Sequence, residues 1–312
     1  MMEPFVTLDE IRAARTRIEN AAVYTPLLDV AGLLLKCENL QPMGAFKIRG
    51  AFNMISQLSA EQLQRGVITY SSGNHGQAVA LAAKTLGAPA VIVMPTTAPA
   101  VKVEGCKGYG AEVIMEGTTS LHRQARAENE ARERGLTMVP PFDHKQIIIG
   151  QGTTGLEILE QCPDVGTVFV PAGGGGLVSG VATAIKLSMP SVRIVAVEPA
   201  GAPKVSRSLA AGHPVTLDSS ASIADGLMNL RPGDLTFAHI QKYVDEVVTV
   251  GEEDIADAVS WLFKYARIVA EPSGAITTAA ISLGLGHPTG KVVAIVTGGN
   301  VAPEKFAQYI AV

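Results

Sequence analysis

The first chemistry in the chain centres on Lys47, just inside a predicted helix start and flanked by Phe46 and Ile48. A helix N-terminus disfavours a cation, and apolar neighbours depress the pKa of a lysine. Both effects make the amine a better nucleophile, as a lysine that condenses with a carbonyl requires. A second run, Gly173-Gly174-Gly175-Gly176, follows the predicted strand 167–172 and precedes a helix opening at Leu177. Residues without Cβ let successive backbone N–H groups close on an anion, and the helix start adds partial positive charge. The run departs from GxGxxG, because Val178 stands where the last glycine is needed, and lacks the GK[ST] ending of a nucleotide loop. A phosphate monoester therefore fits better than a dinucleotide or a nucleoside triphosphate.

Two further polar turns stand at predicted strand ends. Ser71-Ser72-Gly73-Asn74-His75-Gly76-Gln77 precedes an Ala-rich helix. A helix cap needs one hydroxyl or amide; this cluster offers several donors, enough to receive a carboxylate. Thr297-Gly298-Gly299-Asn300 closes the apolar run 292–296.

The elements that must position these turns alternate along the chain. Short Val- and Ile-rich runs at 67–70, 90–94, 112–115, 167–171, 193–197 and 292–296 read as buried strands. Helical patterns lie between them, at 77–86, 120–134, 177–187 and 252–265. This alternation predicts an α/β fold with parallel sheets covered on both faces and ligands at the carboxyl ends of the strands. The expected division is a large cofactor-binding domain of residues 1–50 and 146–312, with a small α/β domain of 51–145 inserted.

Composition narrows the function classes. With 47% hydrophobic and 17% charged residues the chain is too apolar for a disordered one, and its net charge of −4 argues against nucleic acid. Cys37, Cys106 and Cys162 have neither disulfide nor zinc spacing and read as free buried thiols. Residues 166–185 carry no charge, but Pro171 and the glycines suit a strand, loop and helix rather than a membrane span. A soluble cytoplasmic protein with a small-molecule partner is expected, and no nucleic acid or membrane partner.

A phosphate cradle, a carboxylate pocket, an imine-forming lysine and a hydroxyl at neighbouring strand ends together describe a pyridoxal-phosphate site acting on amino acids. The chain resembles the fold-type II pyridoxal-phosphate enzymes, whose architecture is the two-domain open twisted sheet of the tryptophan synthase β-like kind. Within them it is similar to the serine/threonine dehydratase (ammonia-lyase) and serine racemase group. The resemblance spans about Thr25 to Asn300 and rests on GAFKIRGA, SSGNHGQA, GQGTTGLE, VPAGGGGLVSG, VEP, ADG, EPSGA and TGGN in order.

The resemblance implies a role for each matching residue. Lys47 would bind pyridoxal 5'-phosphate as a Schiff base and act as catalytic base, with Phe46 beside the cofactor. Gly173, Gly174, Gly175, Gly176 and Leu177 would hold the phosphate. Asn74 would bond the ring hydroxyl, Glu271 would lie near the ring, and Thr297 would face the pyridine nitrogen. Ser71, Ser72, Asn74 and His75 would surround the substrate carboxylate. A hydroxyl at Thr297 gives a weaker electron sink than an aspartate, which suits elimination of a β-hydroxyl to an aminoacrylate, then a 2-oxo acid and ammonia. Ser72 matches the second acid/base of racemases in this group, so serine racemisation stands as an alternative. Relatives are commonly homo-oligomers, and a homo-oligomer is expected.

Departures from the pattern sharpen the expectations. The group commonly binds a divalent metal through the Glu of VEP, a carbonyl four residues on and an Asp six residues on. Here Glu198 and Ala202 match, but Lys204 stands third, so no metal is expected and Lys204 is expected to pair with Glu198. Ala45 stands where Ser is frequent, and Pro140-Pro141 replaces His-Pro before Phe142. Loss of polar side chains there favours a bulkier β-substituent, as in 3-phenylserine. Arg123 reads as a solvated helix residue, and Asp143 and Asp225 as residues that help shape the pocket, with ordinary capping as the alternative. The histidines outside the SSGNH turn read as surface or loop residues. A non-catalytic small-molecule binder is the alternative of another class; it leaves Lys47 within GAFKIRGA unexplained.

Overall fold

A computed structural model describes residues 5–71, 73–98 and 100–311. The described strands are β1 (Leu27–Val30), β2 (Leu33–Cys37), β3 (Val67–Tyr70), β4 (Ala90–Met94), β5 (Glu112–Met115), β6 (Thr137–Met138), β7 (Val165–Pro171), β8 (Arg193–Pro199), β9 (Glu246–Val250) and β10 (Lys291–Val296). They form a six-stranded sheet in the order β1-β2-β10-β7-β8-β9 and a four-stranded sheet in the order β5-β4-β3-β6.

Every pairing is parallel except β1 with β2. That hairpin turns through Ala31 and Gly32, both at positive φ, and Asp29 accepts a hydrogen bond from the Gly32 N–H at 2.8 Å. Two successive positive φ values match the right-handed twist of the flanking strands.

Successive residues of the central strands serve opposite cores. Val168, Val170, Ile194, Ala196, Val293 and Ile295 face one apolar cluster, which includes the helix Gly176–Ser188. Phe169, Val195, Val197, Ala294 and Val296 face another, which includes the helix Pro272–Ser282. Burial on both faces is why these strands read as continuous apolar runs. The four-stranded sheet is covered likewise, by the helix Ser120–Arg134 against Ile68, Val91 and Val93 and by the helix Asn74–Thr85 on the other side. The helix Ile48–Ile55 shares that second cluster, through Ile48, Ala51 and Ile55.

Four strands differ from the sequence reading, which did not anticipate β1, β2, β6 or β9. β1, β6 and β9 are edge strands, and β6 has only two residues. β2 contains Lys36, whose charge hides a central position: it is fully buried and donates to Glu157 at 2.6 Å. The expected helix 252–265 is α-helical only over Glu252–Trp261; a π turn, Leu262–Ala266, then ends at Arg267 with φ +59°.

Glycine also serves helix crossings. A Cβ on Gly150 would come 2.6 Å from Gly50 Cα, and one on Gly180 would come 2.5 Å from Gly152 N. These contacts let the helix Lys145–Gln161 lie close against the helices Ile48–Ile55 and Gly176–Ser188.

Candidate active site

Lys47 immediately precedes the helix Ile48–Ile55, where it takes the N-cap position with helical angles. Its amine donates to the Pro141 carbonyl at 2.8 Å and lies 5.1 Å from the Phe46 ring centre. Loss of water around it pulls its pKa down to about 8. The loop before it is stitched to the end of β10: Ala45 bridges Gly298, and the Phe46 N–H donates to the Thr297 carbonyl at 3.1 Å.

Two residues further on, Arg49 anchors the helix from inside. Its guanidinium takes Glu38 at 2.7 and 2.8 Å and Glu157 at 2.6 and 2.9 Å. Lys36 joins through Glu157, so two cations and two carboxylates form a buried network below Lys47. Sequence reasoning missed it, because nothing along the chain marks these four charges as partners.

The tetraglycine run lies between β7 and the helix Gly176–Ser188, which no side chain caps. Its first-turn amides have no acceptor within the helix. A Cβ on Gly174 would enter the Phe142 ring, and Gly175 sits at φ +102° with Thr236 Oγ1 2.7 Å from where its Cβ would be. Thr236 Oγ1 donates to the Gly174 carbonyl at 2.7 Å. Asp143 accepts the Asp234, Leu235 and Thr236 N–H groups at 3.0, 3.0 and 3.1 Å, capping the helix Asp234–Tyr243.

Beside this cradle, Asn74 donates to Glu271 at 2.5 Å and accepts from Asn300 at 2.9 Å. Burial and the neighbouring Asp225 raise Glu271 to about 7, against the pull of Lys102 and Asn74. Thr297 is buried, and its hydroxyl donates to the Ser273 carbonyl at 3.2 Å. Asp225 pairs with Lys102 rather than capping a helix. Lys102 is a further residue that the sequence did not single out.

Ser71 Oγ accepts the Gly73 N–H at 3.1 Å. Ser72 lies outside the described residues. His75 was expected among the donors to a carboxylate, yet its Nε2–H is already given to the Val139 carbonyl at 3.0 Å. Burial and nearby Lys47 lower its pKa to about 3, so the ring is neutral, and its buried Nδ1 has no partner among the described residues. His75 thus gives its one N–H to the backbone and is not available as a donor through Nε2. Two surface expectations are corrected: Arg123 is buried, with Nη1 3.4 Å from the Thr118 carbonyl, and His239 is buried and accepts the Val6 N–H at 3.1 Å. Cys37, Cys106 and Cys162 are free and buried.

These residues suit pyridoxal phosphate: a cradle whose shape excludes Cβ atoms, a desolvated amine for the aldehyde and a neutral hydroxyl at Thr297. Residues 12–298 match the family described as pyridoxal-phosphate dependent enzyme. The chain belongs to that family.

As a pyridoxal-phosphate enzyme it has near relatives of two activities. It is 44% identical to the L-threonine ammonia-lyase of Thermotoga maritima, over 95% of this chain and 76% of that protein. It is 40% identical to the serine racemase of Schizosaccharomyces pombe, over 98% of this chain and 97% of that protein. Among solved structures, maize serine racemase superposes with a TM-score of 0.94 at 42% identity, covering 99% of this chain and 98% of that one. The fold is accordingly the fold-type II architecture.

With the Lys204 ammonium in place, a divalent cation does not fit at Glu198. Its Oε2 accepts the Val205 N–H at 2.9 Å, and its Oε1 accepts the N–H and hydroxyl of Ser206 at 2.8 and 2.5 Å. The Lys204 ammonium lies 3.5 Å away and already holds the Ala202 carbonyl. Among the described residues no helix is long and apolar enough to cross a membrane.

Proposed function

We propose that the protein is an ammonia-lyase of the serine/threonine dehydratase kind, converting a β-hydroxy amino acid to a 2-oxo acid and ammonia. The observation that carries this reading is the Lys47 amine, lowered to about 8 by burial and held within hydrogen-bond reach of the Pro141 carbonyl. Pyridoxal phosphate, when bound, supplies the electron sink that lets the substrate Cα–H bond break. Lys47 takes that proton: near neutral pH part of its population is uncharged, which a surface lysine is not.

Gly173 to Gly176 and Leu177 hold the phosphate, with the amides of the helix start as donors. Ser71, Ser72 and Asn74 would hold the substrate carboxylate, and His75, neutral and fixed to the Val139 carbonyl, would shape that pocket. Thr297 would face the ring nitrogen through a hydroxyl whose proton is already given to the Ser273 carbonyl, so it would not force that nitrogen to stay protonated. A neutral hydroxyl at that position, in place of a carboxylate, suits elimination of a β-hydroxyl. We further read the enzyme as a homo-oligomer of a reducing cytoplasm; exposed Tyr265 and Phe263 support the first and the free thiols the second.

Serine racemisation is the second reading, favoured by the serine racemases among the relatives. Purified enzyme loaded with pyridoxal phosphate is given L-threonine, L-serine and L-threo-3-phenylserine in turn. The 2-oxo acid and ammonia are measured together with D-serine by chiral separation. The lyase reading expects 2-oxo acid and ammonia in equal amounts, faster than any D-serine. D-serine formed faster than 2-oxo acid makes it a racemase, and the best of the three specificity constants names the substrate. Loaded protein that yields none of these products defeats both readings.

A further inference from the structure

Lys204 opens the helix Lys204–Ala211, yet its side chain turns inward and is fully buried. An ammonium has three protons and no acceptor. All three protons are placed: on the Ala172 carbonyl at 2.7 Å, the Leu227 carbonyl at 3.0 Å and the Ala202 carbonyl at 3.2 Å. The Glu198 carboxylate stands at 3.5 Å and is itself satisfied by the helix amides and Ser206. The pair is therefore not an ordinary buried salt bridge. The ammonium sits in a cage of carbonyl oxygens with one carboxylate, the set of oxygen ligands a hard metal ion takes.

The three carbonyls come from separate segments. Ala172 directly precedes Gly173, the first residue of the cradle. Leu227 closes the short turn Asp225–Leu227, whose Gly226 N–H donates to Ser273 Oγ at 2.9 Å. Ser273 in turn receives the Thr297 hydroxyl through its carbonyl. Ala202 follows the end of β8. The back of the cradle already leans on this region: a Cβ on Gly173 would meet Asn229 Oδ1 at 2.9 Å and the Gly226 carbonyl at 3.2 Å.

We infer that Lys204 is a tethered cation, a positioning residue whose ammonium replaces a bound metal ion and clamps the tetraglycine loop to the segment Asp225–Leu227. This rests on reading that loop as the phosphate cradle. Removing the ammonium leaves three carbonyls and Glu198 turned on an empty cage, which a small free cation can fill.

The test compares wild type and Lys204→Ala, each with and without pyridoxal phosphate. The media contain no added cation, MgCl₂, NH₄Cl, or tetramethylammonium chloride at matched ionic strength. Wild type is expected to show the same Tm and the same cofactor affinity in all four. Lys204→Ala is expected to melt several degrees lower and to bind pyridoxal phosphate roughly tenfold or more weakly. Mg²⁺ or NH₄⁺ restores much of both losses, and the bulky tetramethylammonium restores neither. A Lys204→Ala protein with wild-type Tm and affinity overturns the inference, as does a loss that tetramethylammonium repairs equally well or that no cation repairs. If Lys204→Ala is recovered only as aggregate, Lys204→Asp is purified with and without Mg²⁺: soluble protein with Mg²⁺ alone supports the clamp, and aggregate in both overturns it. Failure of the wild type to take up pyridoxal phosphate would instead defeat the cofactor reading, while the melting of cofactor-free protein still decides the role of Lys204.

Discussion

The Asn74 amide donates to the Glu271 carboxylate at 2.5 Å, joining the helix after β3 to the cap of the helix Pro272–Ser282 across the two sheets. Burial and Asp225 hold Glu271 near 7, above its ordinary value of 4.5. Between those two values the folded protein keeps a proton that the unfolded chain has lost. The resulting stability is full below about 4.5 and is lost as pH rises through about 7, at up to about 1 kcal/mol per pH unit. Glu271→Gln removes this dependence. Urea unfolding of the cofactor-free proteins at pH 5 and pH 8 is expected to show the variant gaining on wild type at the higher pH. A difference that does not change with pH would exclude the raised carboxyl.

Lys47 carries a second pH signature. Its amine titrates near 8, so capture of pyridoxal phosphate by the cofactor-free protein is expected to accelerate from pH 7 to 9, as stopped-flow absorbance will record. Lys47→Ala is expected to lose the visible absorbance of lysine-linked cofactor and to slow turnover by roughly 10²–10⁴-fold or more. Turnover at the wild-type rate in that variant would remove Lys47 from the chemistry.

Gly174→Ala places a methyl group in the Phe142 ring. The expected cost is about 1–3 kcal/mol in urea unfolding, as for other overpacked sites. Cofactor titration is expected to show weakened binding, because the cradle must shift to relieve the contact. Phe142→Leu in the same chain is expected to recover part of both. Unchanged affinity in Gly174→Ala would place the phosphate elsewhere.

Arg49→Met leaves Glu38 and Glu157 buried without their shared cation. Burial alone would push the Glu38 carboxyl up, and Arg49 with Lys36 holds it below its ordinary value. Unpairing such charges costs about 3–5 kcal/mol. Urea unfolding near pH 7 should show that loss, and it should shrink at low pH, where the Glu38 carboxyl protonates. A loss below about 1 kcal/mol, the scale of an exposed pair, would show the network to be solvated.

Legibility in the sequence followed whether a feature is carried by neighbours along the chain. β3, β4, β7, β8 and β10 announce themselves because both faces are largely buried, so most positions are apolar, and the edge strand β5 is marked by its Val-Ile-Met run. β1, β6 and β9 are edges with a weaker pattern, and β2 was concealed by Lys36, a charge that looks solvated until Glu157 is found beside it. The tetraglycine loop was readable for the first reason, since four contiguous residues without Cβ before a helix already define an anion cradle.

His75 and Arg123 mark the limit. Nothing local shows that the Nε2–H of His75 is committed to Val139, or that Arg123 is buried.

The sequence by itself determined the α/β pattern of sheets covered on both faces, the anion loop and the reactive lysine, because backbone conformation and strand burial are written in adjacent residues. Only the tertiary structure decided that Glu271 meets Asn74, that Arg49 and Lys36 share Glu157, and that Lys204 faces inward to three carbonyls. A buried charge acts through space on partners that the fold, and not the chain order, places within reach.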